Sequence, residues 1–151
     1  MAKTNCGFEN TPQTTGLELL IINGPTIKVD IGFDFKFRPD GDIPIPGIKD
    51  VSALVDTGAT ESCIDAFLAS KLKLPIVDKR DISGVGGKHI VNMYLAQIHI
   101  PSLKYTIYGA FAGVNLKEGG QIHNALIGRT FLQNFVMEYN GKTGIVMLSS
   151  S

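Results

Sequence analysis

Between Pro25 and Pro39 apolar and polar residues alternate one for one. Ile27, Val29, Ile31, Phe33, Phe35 and Phe37 face Lys28, Asp30, Gly32, Asp34, Lys36 and Arg38 across the pattern. A side-chain period of two marks a strand with one wet face, so this stretch predicts a half-buried strand whose weak point is Gly32. Leu17 to Ile22 is mostly apolar and predicts an earlier strand, closed by the turn Asn23-Gly24-Pro25. Pro39 to Gly47 holds three prolines and two glycines and predicts a loop, after which Ile48 to Val55 predicts a strand. From Ser62 the period changes. Ile64, Phe67, Leu68 and Leu72 fall on one helical face, and Pro75 ends the helix by turning Leu74 away from helical angles.

Strands return beyond the helix. Ile76-Val77 and the run Ile90 to Ile100 flank the turn-rich Asp81 to Lys88, which predicts a hairpin with a glycine tip. Leu103, Tyr105, Ile107 and Phe111 predict another strand, and the aperiodic, three-glycine stretch Gly113 to Asn124 a loop. Ala125-Leu126-Ile127-Gly128-Arg129 is an apolar run ending in glycine, followed by Phe131, Leu132 and Phe135 at helical spacing. Val136 to Tyr139, the turn Asn140-Gly141 and Ile145 to Leu148 predict a final hairpin. The sum is an all-β or β-rich domain with one or two short helices, spanning 17–151, behind a flexible segment 1–16.

Composition narrows the functions open to such a domain. Its 151 residues, 44 % of them hydrophobic, suffice for one core and are short for two. Fourteen basic residues balance fourteen acidic ones, so no basic stripe points to nucleic acid or to a membrane surface. No apolar run approaches the roughly 20 residues of a membrane span, and Met1-Ala2-Lys3 leads into polar residues. A soluble, cytoplasmic protein is expected, with Cys6 and Cys63 as reduced thiols. His89, His99 and His123 lack the spacing of a zinc motif, so no metal is expected. Cys63 has no basic neighbour to activate it, and Phe33, Phe35 and Phe37 read as packing residues.

The chemistry concentrates at Leu54-Val55-Asp56-Thr57-Gly58-Ala59-Thr60, where a branched apolar pair delivers an acid into a glycine turn. Two readings fit those residues alone. Asp56 could cap its own backbone in an Asx-turn, or it could be presented at a site. Likewise Gly84-Val85-Gly86-Gly87 could be a plain hairpin turn or a mobile lid.

Three elements in order resemble the retropepsin-like aspartic proteases, nearer their cellular and bacterial branch because of the helix after Ser62. They are the Asp56-Thr57-Gly58-Ala59 loop, the glycine cluster Gly84 to Gly87, and the segment Leu126-Ile127-Gly128-Arg129. The resemblance covers roughly Pro25 to Leu148. It implies a closed β-barrel monomer assembling as a two-fold homodimer, with Asp56, Thr57 and Gly58 catalytic. Ala59, Gly84, Val85, Gly86 and Gly87 would hold an extended polypeptide under a flap, and Leu126 to Arg129 would support the site. Thr57 would reach the partner loop across the axis. Hydrolysis of this kind uses one carboxylate as base and one carboxylic acid as acid. Two carboxyl groups forced together share a proton. The chain has one Asp-Thr-Gly, hence half a site. No cofactor is implied.

Viral members often carry an acid where this chain has Thr60, which leaves Arg129 with Glu61 or Asp65 as candidate partners. Strands Leu17–Ile22 and Ile145–Leu148 are candidates to pair across the axis. The competing function is a non-catalytic homodimeric barrel that binds or scaffolds peptides; an intact Asp56-Thr57-Gly58 favours the enzyme, because a binder has no use for two facing acids.

Overall fold

The computed structural model describes residues 1–41, 45–84 and 87–150. The chain opens with a three-residue strand, β1 (Lys3–Asn5), and then helix α1 (Gly16–Asn23). Strands β2 (Thr26–Gly32), β3 (Gly47–Val55) and β4 (Cys63–Asp65) lead to helix α2 (Ala66–Lys71). The long hairpin of β5 (Ile76–Gly84) and β6 (Gly87–Ile100) is joined through a 3₁₀ turn at Pro101–Leu103 to β7 (Tyr105–Val114). Next come β8 (Ala125–Ile127), the single turn α3 (Arg129–Leu132), and the hairpin β9 (Val136–Asn140) and β10 (Ile145–Ser149).

Seven strands form one sheet in the order β2-β3-β8-β4-β7-β6-β5, and a further pairing of β2 with β6 closes six of them into a barrel. Closure removes the free edges of those six strands where they pair. Val29, Ile31, Ala53, Val55, Ile64, Ile98 and Ile127 fill the interior, each at most 3 % exposed. Two joints are parallel: β3 with β8, matching Val55 to Ile127, and β4 with β7. The first brings the end of β3 and the end of β8 out side by side. β5 lies outside the ring and pairs with β6 alone.

A second, three-stranded sheet has the order β1-β10-β9. Residues 1–16, expected as a flexible segment, contribute its first strand. Cys6 is fully buried, donates its N–H to the Val146 carbonyl at 2.7 Å, and accepts from Thr26 at 2.8 Å.

Four expectations are corrected. Leu17–Ile22 is helix, not strand, because Thr15 accepts the Glu18 N–H in its side chain and Gly24, at φ 76°, ends the turn. Only Leu20 of this run is deeply buried, while Ile21 and Ile22 are more than 70 % exposed. A continuous aliphatic run carries no period, so strand and helix were equally open to it. The alternation after Thr26 stops serving a strand at Gly32; the chain turns at Asp34 to Phe37, and Phe35 is exposed. The helix after Ser62 begins only at Ala66, because Asp65 caps it through the Leu68 N–H; Ile64 belongs to β4 and Phe67 faces solvent. Finally, the last turn is longer than Asn140-Gly141, since Asn140 pairs with Ile145.

Candidate active site

Asp56 stands immediately beyond β3, partly exposed, where the parallel β3–β8 joint ends. Its N–H donates to the Ile127 carbonyl at 2.9 Å, while Val55 before it donates to the Pro25 carbonyl at 2.8 Å. The carboxylate Oδ1 accepts the Gly58 N–H at 2.8 Å, and the Ala59 N–H donates back to the Asp56 carbonyl at 3.2 Å. The Asx-turn reading is thus correct as local geometry. It does not exhaust the residue: among the described residues no other hydrogen bond to the carboxylate occurs. Gly58 keeps this turn tight, since a Cβ there would stand 3.1 Å from Asp56 Oδ1.

The loop is clamped from the segment after β8. Arg129 and Thr130 donate backbone N–H groups to the carbonyls of Ala59 and Thr60 at 2.9 and 3.0 Å. Gly128 donates to the hydroxyl of Ser62 at 3.0 Å, and Leu126 and Ile127 pair with Leu54 and Val55. Gly128 has to be glycine for steric reasons, because a Cβ would lie 2.7 Å from the Glu61 carbonyl carbon and oxygen and 3.0 Å from the Ala59 oxygen. Ile127, Gly128 and Arg129 therefore touch the loop that carries Asp56, and Leu126 pairs with Leu54 in the strand that leads into it.

The Arg129 guanidinium takes neither acid expected for it. Nη1 donates to the Thr57 carbonyl at 2.7 Å and Nη2 to the Thr60 hydroxyl at 3.1 Å. Glu61 instead pairs with Arg80 of β5 at 3.0 Å, and the buried Asp65 caps the N–H groups of Leu68, Leu116 and Lys117. Thr60, which looked like a departure from pattern, is the position where a hydroxyl receives the arginine.

Pro25, Leu54, Val55, Asp56, Thr57, Met137 and Tyr139 line an open cavity of about 640 Å³. Sequence reasoning missed Pro25, Met137, Tyr139 and the supporting Ser62. Pro25 read as a turn residue, and the β9 pair as ordinary hairpin residues; Ser62 carried no signal.

Gly84 and Gly87 face each other at the end of the β5–β6 hairpin. Val85 and Gly86 lie outside the described residues. Gly87 has φ 102° and nothing within 4 Å of a notional Cβ, so conformation and not crowding favours glycine there. The hairpin touches the site loop through the exposed Glu61–Arg80 pair.

Other titratable groups near the site lend it nothing. Burial pushes the Cys63 thiol up to about 12; the neighbouring Asp56 charge adds to the rise and a hydrogen bond with the Leu126 backbone opposes it. A thiol so held stays protonated and is no nucleophile. Cys6 is likewise raised to about 12 by burial, and both cysteines are unpaired. His123, 1 % exposed, bonds Thr26 Oγ1 at 2.8 Å and Gln121 Oε1 at 3.1 Å, and burial first, then Lys117, lowers its basicity. No helix among the described residues is long and apolar enough to cross a membrane.

Comparison with known proteins was made on sequence and on structure. No curated protein sequence matches the chain. Among solved structures, EIAV protease complexed with the inhibitor HBY-793 is similar at 21 % identity and a TM-score of 0.47, covering 72 % of this chain and 85 % of that one. The sequence matches the family described as aspartyl protease over residues 42–131, more than half of its 151 residues, and the chain belongs to that family.

Proposed function

We propose that this chain is one half of a retropepsin-type aspartic endopeptidase. The observation that carries the reading is the placement of Asp56: a partly exposed carboxylate lining an open cavity, on a loop clamped by the segment Ile127 to Thr130. Peptide hydrolysis by this chemistry needs a second carboxyl group at the same point, and the chain holds a single Asp-Thr-Gly. A homodimer supplies it, each subunit presenting the same loop about a two-fold axis.

The two Asp56 carboxyl groups divide the work. One, ionised, takes a proton from water as that water attacks the scissile carbonyl carbon. The other, protonated, gives its proton to the carbonyl oxygen; as the tetrahedral adduct collapses, the first carboxyl passes the proton it took from water to the leaving nitrogen, the C–N bond breaks, and the second carboxylate recovers a proton from the adduct's hydroxyl. The rigid clamp by Arg129 and the Ala59, Thr60 and Ser62 contacts is what such a pair requires, because a small displacement of either carboxylate would spoil the shared geometry. Gly58 and Ala59 line the approach of the substrate backbone, and Thr57 reaches toward the partner loop. The hairpin tip from Gly84 to Gly87, Val85 and Gly86 included, closes over an extended polypeptide and hydrogen-bonds its backbone. Unpaired, buried cysteines suit a cytoplasmic setting. No metal or cofactor takes part in these steps.

The test is cleavage of a mixed peptide library between about pH 4 and 7 by wild-type and Asp56→Asn protein, with molar mass read in parallel. Cleavage by a wild-type dimer should vanish in Asp56→Asn while the dimer persists. Equal cleavage by the two proteins, or none by a folded dimer, would reject the reading in favour of a peptide-binding barrel.

A further inference from the structure

Strand β7 is covered unequally on its two sides. It pairs with β6 from Tyr105 to Ala112, but with β4 only from Ala112 to Val114, because β4 is three residues long. β4 and β7 run parallel, so the residues before Cys63 would come next along that side. They form the Asp56 loop instead and are drawn away to Gly128, Arg129 and Thr130. From Tyr105 to Phe111 the N–H and C=O groups turned away from β6 therefore have no backbone partner among the described residues. Free edges are ordinarily blunted by charge, as on the outer strand β5 with Asp78, Lys79, Arg80 and Asp81 in succession. The β7 stretch carries no charge.

A cavity of about 330 Å³ follows this edge and touches every residue from Tyr105 to Phe111. Neighbouring side chains of a strand point to opposite faces, so an unbroken run lines one cavity only along its backbone edge. Gly109 sits midway at φ 139° with nothing within 4 Å of a notional Cβ, which lets a second backbone come close. Aromatic contacts hold both flanks. The Tyr105 ring stands edge-on to Phe131 and Phe135 with centroids 5.4 Å apart, and Tyr108, 55 % exposed, has its ring 5.3 Å from that of Phe37. Glu61, Ser62, Thr130, Phe131 and Asn134 form the facing wall.

We infer that this opening is an accessory docking groove for the polypeptide substrate: a segment remote from the scissile bond adds to the β7 edge as an extended strand while another segment of the same guest lies at Asp56. That the guest is a substrate rests on the endopeptidase reading. Unpaired main-chain groups select an extended polypeptide over a small molecule, and they do so with little regard to its sequence. Glu61 and Ser62 belong both to the groove and to the loop that carries Asp56, so the two binding places are continuous. Attachment at two points favours long unfolded substrates over short peptides.

The test follows hydrogen exchange by NMR in the full Asp56→Asn chain, which leaves its guest uncut, with and without excess reduced, carboxymethylated lactalbumin as an unfolded polypeptide. Alternate amides between Tyr105 and Phe111 should exchange about tenfold more slowly in its presence. Adding Asn134→Arg, which fills the groove from the facing wall, should restore the free rate; if that variant is unfolded, Ala110→Arg fills it from the β7 side. In active protein Asn134→Arg should raise KM for the long polypeptide about fivefold more than KM for a short peptide taken from one of its cut sites. No slowing along β7, or slowing that persists in a folded arginine variant, would overturn the groove. Protection at β7 without cleavage by the wild-type chain would leave the groove standing and remove the protease reading. Cleavage without that protection would keep the protease and remove the groove.

Discussion

The loop that carries Asp56 and the β5–β6 hairpin belong to the same sheet and are held in opposite ways. Residues 56–62 are hydrogen-bonded through backbone and side chains to Ile127, whose carbonyl accepts, and to Gly128, Arg129 and Thr130, which donate, so the loop is fixed by a neighbouring segment far away in sequence. The outer part of the hairpin is paired mainly with itself; its ion-pair tether to the loop is exposed on both sides. Local stability follows the density of such cross-links. A catalytic carboxylate needs the first arrangement, and a lid that must open for a polypeptide needs the second.

The contrast is sharpest at two glycines. Gly128→Ala pushes a methyl into backbone of the Glu61 and Ala59 peptides, which cannot swing aside. Unfolding free energy should fall by about 3 kcal/mol, with cleavage lost, as read by urea denaturation and peptide assay. An unchanged midpoint would mean the clamp is looser than its distances indicate. Gly87→Ala meets open space and is strained only by φ, at about 1 kcal/mol. It should slow turnover several-fold while moving stability far less than Gly128→Ala; wild-type turnover would argue that the hairpin is no lid. The smallest effect belongs to the Glu61–Arg80 tether. A double-mutant cycle should give a coupling below about 1 kcal/mol that fades with salt, as for other exposed pairs. A coupling of several kcal/mol would show the hairpin to be pinned, contrary to the comparison.

The same contrast explains how much could be read in advance. Alternation and turn residues disclosed β2, β3, the β5–β6 hairpin and the final hairpin, since a period of two and a glycine tip are local properties. The Asp56-Thr57-Gly58 and Gly128-Arg129 segments were recognisable as strings. Their mutual fit was not: that Thr60 and the Thr57 carbonyl, in place of Glu61 or Asp65, receive Arg129 depends on how β8 lies beside β3. β1 is too short to show a period, and α1 hides in an aliphatic run whose capping residue, Thr15, lies in a polar stretch read as loose. Tyr139 and Met137 gained meaning only when the fold set β9 beside Asp56.

The central claim, one site from two chains, is tested most directly by subunit mixing. Wild-type and Asp56→Asn chains are combined in equal amounts at fixed total concentration, allowed to exchange, and assayed for peptide cleavage. If both carboxylates must come from wild-type subunits, random pairing leaves about a quarter of the all-wild-type activity. Retention of half would show that each chain cuts on its own, and the shared site would have to be abandoned.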